Sequence, residues 1–506
     1  MIATSQPRAI IVGSGIAGLS AALHLGNCTV VTKSFLGAGS TRLAQGGLAV
    51  ALGPDDSVEQ HVADTLAVSG GMGDRRIARQ VAAGAIDGVE WLTDLGAAFD
   101  RRRGQLQLGR EAGHSLHRIV HANGDATGAE VMRALTTAVR ERPDIEVLEN
   151  TFALDAIIDG HRVVGLSVVD AEGAATALLA PAVVLATGGI GGVYSATTNP
   201  ADATGDGLAI AWRAGAAVRD CEFVQFHPTA LATGSDPLPL LTEALRGAGG
   251  LLLNDDGRRF MASVHDDAEL APRDVVARAI WKQMQTSPVF LDARLVPDVE
   301  RRFPTAAASA RDLGLNIAED RLPVTPAQHY FMGGVVVDQQ GRSTVEGLYA
   351  VGEVSATGLH GANRLASNSL IEGLVFGEVV ARSIADTSAP VSRAAPSVAG
   401  VSGRPTDPMP SEVEFLRQAM WSDGGIVRTA DGLNGVATLI ESWRPVLSEH
   451  PVARNLAITA RLIVGAAARR RESRGGHFRA DYPTTDRNQN RSVVDRRSMA
   501  ESWSFA

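Results

Sequence analysis

The sequence predicts an α/β protein: a parallel sheet opened by a β-α-β unit, an inserted second domain and a C-terminal helical domain. Three observations carry that prediction. A short apolar strand near the N-terminus runs into a glycine-rich turn and a helix, two later apolar runs also end in glycine turns, and a stretch poor in large apolar residues precedes a last segment with helical spacing.

Taken in order, Arg8-Ala9-Ile10-Ile11-Val12 reads as a buried strand, Gly13 to Gly18 as a turn, Leu19 to Leu25 as a helix and Cys28 to Thr32 as a second strand. Pro181 to Ala186 ends in Thr187-Gly188-Gly189, and Gly347 to Val351 ends in Gly352-Glu353. Strands that stop at glycine turns set the carboxyl edge of a parallel sheet against a ligand. Helical periodicity around Asp274 to Gln285, mixed with loops between Leu238 and Gly333, marks the insert. Asp386 to Ser411, rich in Ala, Ser, Pro and Val, reads as a linker, and Glu412 to Ala468 has helical spacing. The expected domains are therefore 1–237 and 334–385 for the sheet, 238–333 for the insert, 386–411 for the linker and 412–506 for the helical domain.

Composition narrows the function. The 506 residues are 45% hydrophobic and 20% charged, with 54 glycines, a globular composition with a surplus of the residue that tight turns and close backbone approach require. A net charge of -9 disfavours nucleic acid or an anionic membrane as partner. Cys28 and Cys221 form no CxxC pair, which excludes a disulfide framework and a cysteine-pair reductase and fits a reducing compartment. With no apolar run of about 18 residues and no leader-like start, a cytoplasmic location without a membrane span is expected.

Gly13-Ser14-Gly15-Ile16-Ala17-Gly18 is a G-x-G-x-x-G in a strand-turn-helix context, where two glycines admit a pyrophosphate and the third lets helix and strand pack. The second strand ends in Thr32-Lys33 rather than an Asp or Glu, which argues against a standard NAD site. Gly37 to Leu48 is dense in small residues, as backbone lying flat against a planar ring would need.

Longer motifs follow in a fixed order: IVGSGIAGLSAALHL, STRLAQGGLAVAL, ATGGIGGVY, QFHPTAL, TEALRGAGG, PRDVVARAI, HYFMGGVVVD, YAVGEVSATGLHGANRLASNSLIEGLVFG and SRGGHFRADYP. This series resembles the flavoprotein family of succinate dehydrogenase, fumarate reductase and L-aspartate oxidase over nearly the whole chain. The resemblance implies a Rossmann-like FAD-binding domain with an inserted α+β capping domain and a C-terminal helical domain. It implies FAD with Gly13, Ser14, Gly15, Ala17 and Gly18 at the pyrophosphate, Thr32 and Lys33 near the ribose, and Ser40, Thr41, Ala44, Gly46 and Gly47 along the flavin. Thr187, Gly188 and Asp206 are further cofactor positions, and Glu353 would meet the ribityl chain. Asn368-Ser369-Leu370 would open a helix toward the flavin N1-C2=O edge, stabilising the reduced anion. Ser40 stands where relatives carry a flavin-linked histidine, so the FAD is expected to be non-covalent.

By the same resemblance, a C4 dicarboxylate is held by Arg364 with His329 and by His227 with Thr242, Gln225 lying in the same motif. Arg273 would be the acid/base group on the substrate carbon while hydride passes to flavin N5, with Glu243 and Arg246 as its proton pathway. Arg110-Glu111-Ala112-Gly113-His114 points to the amino-acid branch, because Glu111 can pair with a substrate ammonium. Ala366-Ser367-Asn368 stands where the respiratory relatives tend to carry glycines. The implied activity is oxidation of L-aspartate to iminoaspartate, with oxygen or fumarate as electron acceptor. That reaction feeds NAD biosynthesis through quinolinate, with quinolinate synthase as a partner. The alternative is a soluble fumarate reductase or succinate dehydrogenase flavoprotein.

Other features read as structural. His114, His117 and His121 have helical spacing but no partner pattern for a metal, so no metal site is expected. Arg101-Arg102-Arg103 and Arg469-Arg470-Arg471 read as solvated or ion-paired faces, Cys221 as core, and Trp421 and Trp443 as packing of the helical domain.

Overall fold

The computed structural model describes residues 7–387, 404–488 and 491–494. Most of the expected linker, 388–403, lies outside the described residues, as does the end of the last domain.

Ala9–Val12 is buried at every position and pairs in parallel with Cys28–Val31 on one side and Val183–Leu185 on the other. Leu348–Ala350 and Ile145–Leu148 complete a five-stranded parallel sheet. Its strands are short apolar runs because helices and other sheets cover both faces. Chain order reverses on the two sides of Ala9–Val12, and an open sheet binds ligands in the crevice such a reversal leaves. The following helix starts at Ile16, three residues ahead of the expected Leu19. The reason is local. Gly13 adopts φ +112, which turns the chain at once, and Gly18 already sits in the helix, where a Cβ would come 2.0 Å from the Gly13 carbonyl oxygen.

The insert is built on an antiparallel sheet ordered Val224–Leu231, Arg321–Phe331, Val289–Asp292, Leu251–Asn254. Its first strand lies ahead of position 238, so the chain enters and leaves the insert through two paired strands. Helix Arg273–Met284 buries Val276, Ala277 and Ile280. Leu231, Leu245, Leu291 and Phe303 share a separate apolar core with Val276 and Ile280.

Helices Glu412–Ser422, Ala430–Glu449 and Pro451–Arg469 form the C-terminal domain and share a core with the parallel sheet. Trp421 reaches beyond that domain, packing on Phe226 and Trp281, whereas Trp443 stays within it against Phe415. Arg470 is buried between Glu222 and Glu472, and Arg101 to Arg103 are exposed. Cys221 is core. His114, His117 and His121 lie in turns and loops rather than on a helix, and the described residues contain no cluster suited to a metal ion. Among the described residues, no helix is long and apolar enough to cross a membrane.

Candidate active site

The glycine turns at the carboxyl edge of the parallel sheet open into a cavity of about 600 Å³, within the range that organic ligands fill. Two groups of residues line it. The first is a glycine-turn wall, with Gly13, Ser14 and Gly15 from the first turn, Ala17 from the helix it opens, Thr32 and Lys33 just after strand Cys28–Val31, and Thr187 and Gly188 just after strand Val183–Leu185. Ser40, Thr41, Ala44, Gly46 and Gly47 continue this wall. The Ser14 hydroxyl donates to Thr32 Oγ1 at 3.1 Å, and Thr41 Oγ1 accepts the Ile16 N–H at 3.2 Å. Lys33 is paired with Asp206 at 2.7 Å, and Asn455 of the C-terminal domain donates to the other Asp206 oxygen at 2.8 Å. Burial, the largest influence, would raise the Asp206 carboxyl, but the Lys33 charge together with hydrogen bonds from Lys33, Asn455 and Thr204 holds the group below its ordinary range.

The second group is an arginine cluster. Glu243 Oε2 accepts from Arg273 Nε at 2.5 Å, and Arg246 lies 3.8 Å from the other Glu243 oxygen. Gln225 Oε1 accepts from Arg273 Nη1 at 3.0 Å and from Arg364 Nε and Nη2 at 3.2 Å each, so one amide oxygen joins both guanidinium groups. Arg364 also donates to the Ser369 hydroxyl at 2.6 Å. Burial pushes Arg364 down to about 10, with Arg273 adding to the shift. Glu243 stays below its ordinary value because the charges of Arg273 and Arg246 overcome its desolvation. His227 and His329 face each other with ring centroids 5.1 Å apart. Burial, reinforced by the neighbouring arginines, drives both well below the ordinary histidine range, so both are neutral. His227 Nδ1 accepts the Thr229 N–H at 3.2 Å, which leaves the proton on Nε2. Thr242 caps the short helix Glu243–Gly247 and lines the cavity. Glu111 Oε2 accepts from the Ser367 hydroxyl at 2.7 Å, and Ser367 is in the left-handed region with φ +62.

Gly18, Gln225 and Arg246 do not line the cavity, unlike the other positions expected from the sequence. Gly18 packs the helix on its strand. Gln225 stands behind Arg273 and Arg364 and joins them, and Arg246 stands behind Glu243.

The protein fits a dinucleotide cofactor on its own geometry. Gln45 Oε1, Thr187 Oγ1 and Asn199 Oδ1 belong to lining residues and are buried without a protein partner. Helices Ile16–Leu25 and Asn368–Ala385 both start at the cavity, and neither N-cap residue, Gly15 or Ser367, caps its helix with a side chain, although Thr41 takes the Ile16 N–H. A Cβ on Gly46 would meet no other residue nearer than 3.5 Å, so bare backbone faces the space.

Residues 8–370 match the FAD binding domain family, and 441–500 match the fumarate reductase flavoprotein C-terminal family. An L-aspartate oxidase of Streptomyces coelicolor is 46% identical, the match covering 94% of this chain and 89% of that protein. One of Mesorhizobium japonicum is 48% identical over 94% of this chain and 92% of its own. The chain belongs to the L-aspartate oxidase family. In three dimensions this family member superposes on a mutant of E. coli quinol fumarate reductase FrdA with a TM-score of 0.89, at 28% identity over 97% of this chain and 96% of that one. FAD is therefore its cofactor, and Gly13 to Ala17, Thr32, Lys33 and the Ser40 to Gly47 segment line the cavity open to it.

Four lining residues of this oxidase-family site escaped the sequence reading. Thr198 Oγ1 sits 2.8 Å from His329 Nδ1, and Asn199 donates to the His329 carbonyl at 3.0 Å. Tyr330 lies against Arg364, and Asp125 caps the insert helix Pro304–Arg311 through the N–H groups of Thr305 and Ala306. Tyr330 stood in the quoted HYFMGG motif beside His329; Thr198, Asn199 and Asp125 stood in no quoted motif.

Proposed function

We propose that the protein oxidises L-aspartate to iminoaspartate. The observation that carries this reading is a cavity wall with two arginines, two neutral histidines and a threonine for two carboxylates, plus the buried Glu111 carboxylate for an ammonium. Arg364 with His329 and His227 with Thr242 hold the two ends and fix the substrate carbon, which supplies the orientation that raises the rate. Arg273 is the acid/base group, its proton exchanged through Glu243 and Arg246. FAD held non-covalently in the cavity, Ser40 offering no linking histidine, would supply the hydride acceptor beside the substrate carbon and the route for electrons to oxygen, giving hydrogen peroxide, or to fumarate. Iminoaspartate then goes toward quinolinate in the cytoplasm, with quinolinate synthase as the consuming enzyme.

The test is anaerobic mixing of the yellow protein with L-aspartate or with succinate, followed by air. Loss of oxidised-flavin absorbance with aspartate alone, and peroxide on aeration, is the expected result. Bleaching by succinate alone would move the protein to the fumarate reductase reading. In Glu111→Gln the preference for aspartate over succinate should fall about tenfold or more; an unchanged preference would remove Glu111 from ammonium recognition.

A further inference from the structure

Behind Arg364 lies a buried polar cluster that the functions above do not use. The Tyr330 ring lines the cavity, its centroid 4.3 Å from the Arg364 guanidinium carbon. The Tyr330 hydroxyl donates to Glu372 Oε2 at 3.2 Å and lies 3.1 Å from His360 Nε2. His360 Nε2 is itself 3.0 Å from the same carboxylate oxygen, and the Thr357 hydroxyl donates to the other at 2.5 Å. The His360 and Glu372 side chains are 4% and 1% exposed, and neither lines the cavity.

Such a network is costly to bury, and here three donors converge on the Glu372 carboxylate while His360 Nδ1 is left without a partner. A phenol donating to a carboxylate gains electron density on its ring, and an electron-rich ring face attracts a desolvated guanidinium more strongly. The network also fixes the ring plane. Arg364 has two further anchors, Ser369 and Gln225, and both bind it edge-on through hydrogen bonds; the Tyr330 face defines the third direction.

We propose that Glu372, His360 and Tyr330 form a positioning triad for Arg364, which holds the guanidinium in the orientation that grips one substrate carboxylate. The triad touches Arg364 rather than the reacting atoms, so its three members are positioning residues. The inference rests on the dicarboxylate reading of the cavity.

The experiment compares wild-type holoenzyme with Tyr330→Phe, which keeps the ring and drops the anchor, and with Glu372→Gln, which keeps the volume. KM for L-aspartate should rise about tenfold in both, while kcat falls less than threefold and flavin content stays stoichiometric. Tyr330→Leu, which removes the ring, should raise KM further. An unchanged KM with only a lowered Tm would overturn the triad and leave it as packing. An unchanged KM with a shifted flavin midpoint potential would overturn it too, making Glu372 a modulator of the helix that opens toward the flavin. Wild-type enzyme that no dicarboxylate reduces would overturn the functional reading itself, whereas active wild type with unaltered variants would sink the triad alone.

Discussion

The glycine-turn wall and the arginine cluster line one cavity and are made in opposite ways. The wall comes from removing side chains: Gly13 to Ala17 and Gly46-Gly47 present backbone, open helix ends and small hydroxyls over short, contiguous segments. The cluster comes from adding them. Gln225 to His227, Thr242 to Arg246, Arg273, His329-Tyr330 and Arg364 to Ser369 converge from five separate stretches, and their buried charges persist because each is paired or hydrogen-bonded. The difference teaches that the wall recognises shape and the cluster recognises charge, so damage to one should leave the other's signature intact.

The largest effect that would break this division is at Arg273. Arg273→Ala should cost about a thousandfold or more in kcat/KM while the protein stays yellow, read by flavin absorbance and turnover on one sample. Flavin loss in step with activity would mean the two groups are not separable. Gly13→Ala attacks the wall instead. Its Cβ would sit 2.2 Å from the Ala186 carbonyl oxygen at a φ of +112, so stability should fall by about 3 kcal/mol with loss of bound flavin. Urea unfolding and flavin content check this, and full flavin retention at unchanged stability would refute it.

Glu353 sharpens the comparison, because it is a titratable group at a glycine turn. Its Oε1 accepts the Phe331 N–H at 2.9 Å, and burial raises its carboxyl from the ordinary 4.5 to about 7. A raised carboxyl contributes stability that is present below about 4.5 and lost as pH rises through about 7. Relative to Glu353→Gln, flavin-free wild type should therefore lose about 3 kcal/mol between pH 4.5 and pH 8. Parallel pH profiles for the two proteins would place the charge elsewhere. The smallest effect concerns the join between sheet domain and insert. Asp125→Ala removes the cap on helix Pro304–Arg311 and should cost about 1 kcal/mol in thermal unfolding, with flavin content unchanged.

The wall was legible in the sequence for the same reason it works: a glycine fingerprint is a contiguous pattern tied to one backbone geometry. The first helix starts ahead of Leu19 because Gly18, a turn former by composition, is spaced for close packing inside the helix. The arginine cluster could be named residue by residue only through family resemblance. Nothing in local periodicity says that Gln225 will lie between Arg273 and Arg364. Strand Val224–Leu231 was missed because it is buried at every position and contains Pro228, so it shows neither alternation nor strand propensity. Tyr330, His360 and Glu372 were invisible as a unit, since only the fold joins a sheet strand, a loop and the second turn of a helix.

The two strands that carry the chain into and out of the insert are also the strands that carry His227 and His329, paired along most of their length. The insert is thus no detachable module. Grafting the insert of a relative onto this scaffold would import half of the recognition chemistry with it. Any rocking of the insert must flex the strands that present both imidazoles, which makes the junction and the reaction chamber one mechanical part.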